Sequence, residues 1–206
     1  MAETITVIEK PEEITFEQIR EVLWDANERN RRDGFYLSTA SMPGEKLKER
    51  LGPDGKCFVA LAHKDGADEP LLVGTISIRY LDRRRWYAKG RVADYMLAAV
   101  ISSYQGKHIN SMLAEKVFET AREAGCKVVE LDTAVTNKHA IAVYKHQGFK
   151  LVSFKANPGG DHYSVIMAKW LGKCPFSDAY CKLRYLAGKT LVKLRYTPDK
   201  KKRFGI

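Results

Sequence analysis

The first forty residues show an apolar pattern that changes from a period of two to a period of three or four. Ile5 and Val7 alternate with polar residues and predict a strand. Thr15 and Gln18 then have the spacing of a capping box, in which each side chain bonds the backbone amide of the other residue. A helix should follow, and its apolar face comprises Phe16, Ile19, Leu23 and Ala26.

The next segments predict a second short helix at 44–51 and then three strands. The apolar runs 58–62 and 71–80 flank a turn-rich segment, which indicates an antiparallel hairpin. A third strand should begin near Val92. We interpret the basic and aromatic segment 82–87 as the solvated tip of the hairpin before that strand.

The second half of the chain predicts further alternation of strands and helices. Residues 92–100 are mostly apolar, as in a strand buried on both faces, and a helix ending at Gly125 should follow. The apolar face of that helix comprises Ile109, Met112, Leu113, Val117 and Ala121. A strand, a helix and two strands are predicted at 128–133, 137–147, 151–154 and 163–170. This order predicts a mixed α/β fold with a central, largely antiparallel sheet flanked by helices.

The C-terminal residues carry most of the positive charge. The chain of 206 residues has a net charge of +10, and the segment 171–206 holds ten Lys or Arg against two Asp. We therefore divide the chain into a domain at 1–172 and a short basic extension at 173–206. The extension predicts a helix after Ser177, a strand containing Val192, Leu194 and Tyr196, and a charged end.

The composition and the cysteine spacing also predict the cellular compartment and whether a metal site is present. No apolar run is long enough to span a membrane and the N-terminus lacks a signal-peptide pattern, so we expect a cytoplasmic protein. The four cysteines lack zinc-site spacing, so we expect reduced thiols and no metal. A disulfide between Cys174 and Cys181 is the alternative that their spacing allows.

The segment 100–111 has the pattern of an anion-binding junction between a strand and a helix. Its sequence, VISSYQGKHINS, passes from an apolar strand through a polar loop into the helix at Ile109. Backbone amides at a helix start have no intrahelical acceptor and lie at the positive end of the helix dipole. A pyrophosphate fits such a position, and Lys107 would add a charge-assisted contact.

Two motifs together resemble those of the GNAT superfamily of N-acetyltransferases. Residues 105–110 resemble the acetyl-CoA signature Q/R-x-x-G-x-G/A, with His108 and Asn110 at its two glycine positions. Residues 137–149, NKHAIAVYKHQGF, resemble the second signature, N-x-x-A-x-x-x-Y-x-x-x-G-F. The resemblance covers approximately residues 5–171. It implies a GNAT-like fold and acetyl-CoA as co-substrate.

The resemblance also assigns cofactor-binding residues. Gln105 takes the Q/R position, the loop amides would hold the pyrophosphate, and Val100 and Ile101 would present backbone groups to the pantetheine. Asn137 would face the pantetheine arm. The residues expected to contact the cofactor are Val100, Ile101, Gln105, Gly106, Lys107, His108, Ile109, Asn110, Ser111, Asn137 and Tyr144.

The implied reaction is direct transfer of an acetyl group to an amine. It requires positioning of the two reactants, removal of a proton from the ammonium and stabilisation of an oxyanion. By the resemblance, Tyr144 is the general acid for the departing thiolate, Asp94 is the first candidate for the base, and Asp132 is the second. The oxyanion donor would be an amide near Val100 or Ile101.

The acceptor amine belongs to an unidentified small molecule or peptide. Its pocket should form from the loops at 33–41, 83–87 and 159–163, where Tyr36, Trp86 and His162 either line the pocket or pack the loops themselves. Arginines 83–85 would favour an acidic or phosphorylated amine.

Two further hypotheses concern the basic extension. In one, the cofactor loop is degenerate and the extension binds nucleic acid or another polyanion; in the other, the extension forms a homodimer interface. The apolar pattern of the extension favours the dimer over nucleic acid.

Overall fold

The computed structural model of the protein describes residues 3–32, 39–66, 68–156 and 163–195. These residues form a mixed α/β fold whose strands pair mostly antiparallel, as the sequence predicts. The elements in chain order are β1 (Glu3–Glu9), α1 (Phe16–Ala26), α2 (Glu28–Arg32), α3 (Gly44–Leu51), β2 (Lys56–Lys64), β3 (Leu71–Arg85), β4 (Ala88–Val100), α4 (Ile109–Glu123), β5 (Val128–Ala134), α5 (Lys138–His146), β6 (Lys150–Ala156), β7 (Tyr163–Trp170) and α6 (Asp178–Leu194).

The chain divides into two compact units, and the first comprises Met1–Leu81 and Ala93–Gly125. In it β1, β2, β3 and β4 are neighbours in that order, and both β1 and β3 pair with β2 antiparallel. Helices α1 and α3 pack on one face of these strands, over a core that includes Ile19, Val22, Leu23, Leu47, Val59 and Leu61. Helix α4 contacts β1 and β2 through a separate set of residues.

The predicted capping box at the start of α1 is present. The Gln18 amide donates to Thr15 Oγ1 at 3.2 Å, and the Thr15 amide donates to Gln18 Oε1 at 2.8 Å. Two otherwise unpaired donors are thus satisfied, which fixes the start of the helix. Ile19 and Leu23 are buried as the helical period predicts.

The second unit comprises Asp82–Val92 and Cys126–Ile206. Its strands lie in the order β5, β7, β6, and β7 pairs antiparallel with both neighbours. Helix α6 packs against β6. One apolar cluster in the core of this unit contains Tyr87, Ala88, Val92, Val128, Val152, Ile166 and Ala168, with Trp86 and Trp170 packed against it.

Several predictions of local structure are wrong. Residues 82–87 are not a solvated tip, because β3 continues to Arg85, β4 begins at Ala88, and Tyr87 is buried. Val192 and Leu194 belong to α6 and not to a strand. Met112 is exposed on α4, and α2 was not predicted.

The cysteines are free thiols, so the alternative disulfide between Cys174 and Cys181 is not formed. Of the described helices, none is long and apolar enough to cross a membrane.

Candidate functional site

The junction between β4 and α4 has the geometry of a helix-start anion site. After β4 ends at Val100, a 3-10 turn at Ser102–Tyr104 leads to His108, the N-cap of the 15-residue helix α4. His108 has a φ of 61° and Gly106 a φ of 83°, both in the left-handed region. Histidine enters this region more readily than most residues that carry a Cβ atom. The loop therefore turns at His108 without the glycine that the family signature places there.

The loop contains a run of backbone amides without a backbone partner among the described residues. Within the described chain, the amides of residues 106–110 donate no hydrogen bond to a backbone carbonyl, whereas that of Ser111 donates to the His108 oxygen at 3.0 Å. The Gln105 side chain donates from Nε2 to the Val100 oxygen at 3.0 Å and so ties the loop to the end of β4. Unpaired amides at a helix start bind anions.

Lys107 lies beside this run of amides and is held by other residues of the first unit. Its Nζ donates to Glu3 Oε2 at 2.9 Å and lies 4.2 Å from the centroid of the Tyr104 ring. The Tyr104 hydroxyl donates to Glu3 Oε1 at 2.6 Å. The Tyr104 hydroxyl and then Lys107 lower the pKa of the Glu3 carboxyl. An anionic ligand would compete with Glu3 for Lys107.

A backbone irregularity that the sequence did not reveal occurs three residues before the end of β4. Leu97 has a φ of 54°, although a leucine in this region is strained by its Cβ atom. Left-handed residues within strands mark bulges, which disrupt the regular ladder and recur next to active sites. No glycine, proline or asparagine occurs in 92–100 to signal it.

The end of β4 narrows the choice of an oxyanion donor. The Ile101 amide already donates to the Val73 oxygen of β3 at 3.0 Å. Since backbone groups of successive strand residues point to opposite edges, the amide of Val100 points away from β3. Of the two predicted donors to the oxyanion, the Val100 amide is therefore the one that does not bond to β3.

Asp94, the first candidate for the base, is engaged by an arginine. Its Oδ2 accepts from Arg79 Nε at 2.8 Å, and Arg79 also donates from Nη1 to the Arg50 oxygen at 2.9 Å. The carboxylate is buried in the first unit. The contact with Arg79 also fits a structural ion pair, without any role in the reaction. The role of Asp94 as a base stays a prediction.

Asn137 and Tyr144 lie in the second unit, at the start and near the end of α5. Asn137 is the N-cap, and its Oδ1 accepts from the Ala140 amide at 3.2 Å. Burial raises the pKa of the Tyr144 hydroxyl to about 12, with the Asp132 carboxylate as the second cause. Tyr144 is therefore a neutral hydrogen-bond donor at physiological pH. Asp132, the second candidate base, accepts from Lys155 at 2.9 Å.

The residues predicted to line an acceptor pocket have mixed outcomes. Tyr36 and His162 lie outside the described residues. Trp86 packs edge-on against Tyr87 of its own loop and against Phe176, with ring centroids 5.5 Å and 5.2 Å apart. Arg83 donates to the buried Glu130, so it is a structural residue of the hairpin.

Comparison with known proteins identifies a family. The sequence model described as "Acetyltransferase (GNAT) family" matches residues 16–149, more than half of the chain. N-alpha-acetyltransferase MAK3 of Arabidopsis thaliana is 36% identical over 93 residues, which is 45% of this chain and 44% of that protein. Human N-alpha-acetyltransferase 30 is 29% identical over 93 residues, covering 45% of this chain and 23% of that protein. The chain thus spans less than half the length of these curated relatives.

Solved structures share the fold at low sequence identity. A GNAT-family acetyltransferase of Staphylococcus aureus is 18% identical, with a TM-score of 0.62, over 82% of this chain and 100% of that chain. Arabidopsis thaliana NAA60 in complex with a bisubstrate analogue is 20% identical, with a TM-score of 0.56, over 81% of this chain and 100% of that chain. NAA60 was also solved with acetyl-CoA.

Proposed function

Because this chain belongs to the GNAT family of acetyltransferases, we propose that it transfers the acetyl group of acetyl-CoA directly to a primary amine. It is an acyltransferase, and its curated relatives are N-alpha-acetyltransferases. Those relatives favour the N-terminal amine of a peptide as the acceptor, in preference to a small molecule. The comparisons give no support to a degenerate binding module.

The junction at residues 105–110 is the observation that carries the proposal. Its amides lie at the start of a 15-residue helix, in a loop whose residues Gly106 and His108 are left-handed. Such a position suits the pyrophosphate of CoA. No metal is required, because the amides and Lys107 supply the positive potential.

Each remaining step of the transfer has a proposed residue. The amine must lose a proton before its nitrogen attacks the thioester carbonyl, and Asp94 is the proposed acceptor of that proton. The Val100 amide would stabilise the oxyanion of the tetrahedral intermediate. The C–S bond then breaks while the attacking nitrogen loses its second proton, which balances the proton that the CoA thiolate gains. Tyr144 would donate a hydrogen bond or a proton to that thiolate. Asn137 would hold the pantetheine.

Binding of acetyl-CoA should raise the thermal stability of the protein. At one hundred times its dissociation constant, a ligand that binds only the folded state adds about 2.7 kcal/mol. For a chain of this size each kcal/mol raises the unfolding temperature by about 2–4 °C, so we expect an increase of about 5–10 °C. Differential scanning fluorimetry with acetyl-CoA, CoA and adenosine would measure it.

CoA should reproduce the increase, because it carries the pyrophosphate, and adenosine should not. If millimolar acetyl-CoA leaves the unfolding temperature unchanged, then the loop with His108 does not hold the cofactor and the proposed function is wrong.

Two substitutions, one at Lys107 in the loop and one at its partner Glu3 on β1, should change the affinity for acetyl-CoA in opposite directions. Lys107→Gln removes a charge-assisted contact and should weaken acetyl-CoA binding about tenfold. Glu3→Gln removes the carboxylate that holds Lys107, so it should tighten binding by about two- to fivefold, as expected for a partly exposed ion pair. Isothermal titration calorimetry would measure both dissociation constants.

Lys116→Gln is the matched control, since Lys116 is an exposed lysine of α4 that pairs with Glu119 in the same helix. It should leave the affinity unchanged. Equal affinities for Lys107→Gln and Lys116→Gln would remove Lys107 from the cofactor site.

A further inference from the structure

Helix α6 presents an apolar surface that the rest of the described unit leaves uncovered. Its leucines are 64%, 45%, 56% and 76% exposed at positions 183, 186, 191 and 194. At about 100° per residue these four side chains fall within about 140° of arc, so they form one continuous stripe along the helix. We call these four residues the leucine face.

The opposite side of α6 is the one that packs on its own unit. Cys181 is buried there, and Tyr185 contacts Phe154 with ring centroids 6.2 Å apart. The helix is therefore anchored through one side while the leucine face points outward. Exposed leucines in such a row mark an interaction surface and not ordinary surface composition.

Positive charge borders the leucine face. Lys182, Lys189 and Lys193 fall along one edge of it by helical position, and Arg184 falls at the other. The one acidic residue of α6, Asp178, pairs with Lys150 at 2.6 Å. In the sequence, Lys200, Lys201, Lys202 and Arg203 follow, outside the described residues.

We propose that α6 lies on an anionic lipid surface, with the leucine face inserted at the boundary between headgroups and acyl chains. An amphipathic helix with leucines on one face and lysines beside them binds membranes in this way, without crossing them. The lysine stems cover apolar surface while their ammonium groups contact lipid phosphates and carboxylates.

The charge distribution favours a lipid surface over a second copy of the chain. Two α6 helices packed through their leucine faces would bring Lys182, Lys189 and Lys193 of one copy toward those of the other, where like charges repel. An anionic surface meets the same cations with complementary charge. A nucleic acid would also attract the lysines, but it would not bury the leucine side chains.

The test is cosedimentation of the full chain with lipid vesicles. We expect binding to vesicles of phosphatidylcholine mixed with phosphatidylserine, and at least tenfold weaker binding to phosphatidylcholine alone. Leu183→Gln combined with Leu194→Gln should reduce binding to the anionic vesicles at least tenfold. Lys189→Gln combined with Lys193→Gln should also reduce it, and added salt should weaken wild-type binding.

Leu71→Gln is the control, because Leu71 is an exposed leucine on β3, in the other unit. It should bind vesicles like the wild type. Both glutamine-substituted leucines of α6 are largely exposed, so circular dichroism and thermal unfolding of that variant should match the wild type.

Three outcomes would overturn the proposal. In the first, the leucine variant binds anionic vesicles as well as the wild type. In the second, the wild type does not bind vesicles, and sedimentation velocity shows a dimer for the wild type and a monomer for the leucine variant. The leucine face would then be an interface between copies of the chain. In the third, the wild type binds RNA in preference to vesicles, with no effect of the leucine substitutions, which would assign the cations to a polyanion.

Discussion

Glu130→Ala should destabilise the protein by about 3–5 kcal/mol, the cost of breaking a buried ion pair from one side. Glu130 is 3% exposed on β5. Its Oε1 accepts from Arg83 Nε at 2.7 Å, and its Oε2 accepts from the Tyr87 hydroxyl at 2.8 Å. Removal of the carboxylate leaves two donors of the β3–β4 hairpin without their acceptor. Urea-induced unfolding, followed by circular dichroism, would measure the loss in free energy of unfolding.

Glu119→Ala is the matched control for this prediction. Glu119 pairs with Lys116 on the surface of α4, where both side chains are about half exposed. An exposed pair contributes at most about 1 kcal/mol, so this substitution should change stability little. If the two alanine variants lose the same free energy, then Glu130 does not organise the hairpin.

The same network shows why the hairpin was predicted poorly from its sequence. Residues 82–87 hold four charged side chains and two aromatic ones, a composition typical of a solvated turn. Arg83 and Tyr87 are instead satisfied by Glu130, more than forty residues later in the chain. Local patterns carry no signal for a partner at that separation, so they cannot tell a buried hairpin from an exposed one.

The helices with local capping signals were predicted well. Thr15 and Gln18 form the capping box at the start of α1, and Ser177 accepts from the Tyr180 amide at the start of α6. The end of α6 was predicted wrongly, because Val192 and Leu194 alternate with only two basic residues, Lys193 and Arg195. Tyr196, the third apolar position of the predicted strand, lies outside the described residues. An alternation that short fits either a strand or one turn of a helix. No proline occurs between Ser177 and Pro198 to end the helix earlier.

The candidate cofactor loop was predictable in position but not in conformation. The strand, polar loop and helix were evident from residues 100–111, and the structure has each of them. The left-handed His108 was not evident, because histidine is only moderately enriched in that region. The left-handed Leu97 had no local signal at all, since leucine is among the residues that rarely adopt it.

Tyr144→Phe should lower turnover by about a hundredfold, at nearly unchanged affinity for acetyl-CoA. A general acid increases the reaction rate by about 10²–10⁴-fold, and the pKa of about 12 at Tyr144 favours the lower end of that range. A thiol has an ordinary pKa of about 8.5, so full proton transfer from such a tyrosine to a thiolate is unfavourable. A hydrogen bond to the sulfur as charge develops remains favourable. Steady-state kinetics with a peptide amine, together with calorimetric titration of acetyl-CoA, would separate kcat from the Kd.

Tyr185→Phe is the control, since Tyr185 is a second tyrosine of the same unit whose pKa burial raises. It should leave kcat unchanged, which would show that loss of a partly buried tyrosine hydroxyl in this unit is not enough to slow the reaction. Equal turnover in Tyr144→Phe and the wild type would remove Tyr144 from the acid role. CoA would then leave as the thiolate and take its proton from water, since a leaving group with an ordinary pKa of about 8.5 does not require a general acid.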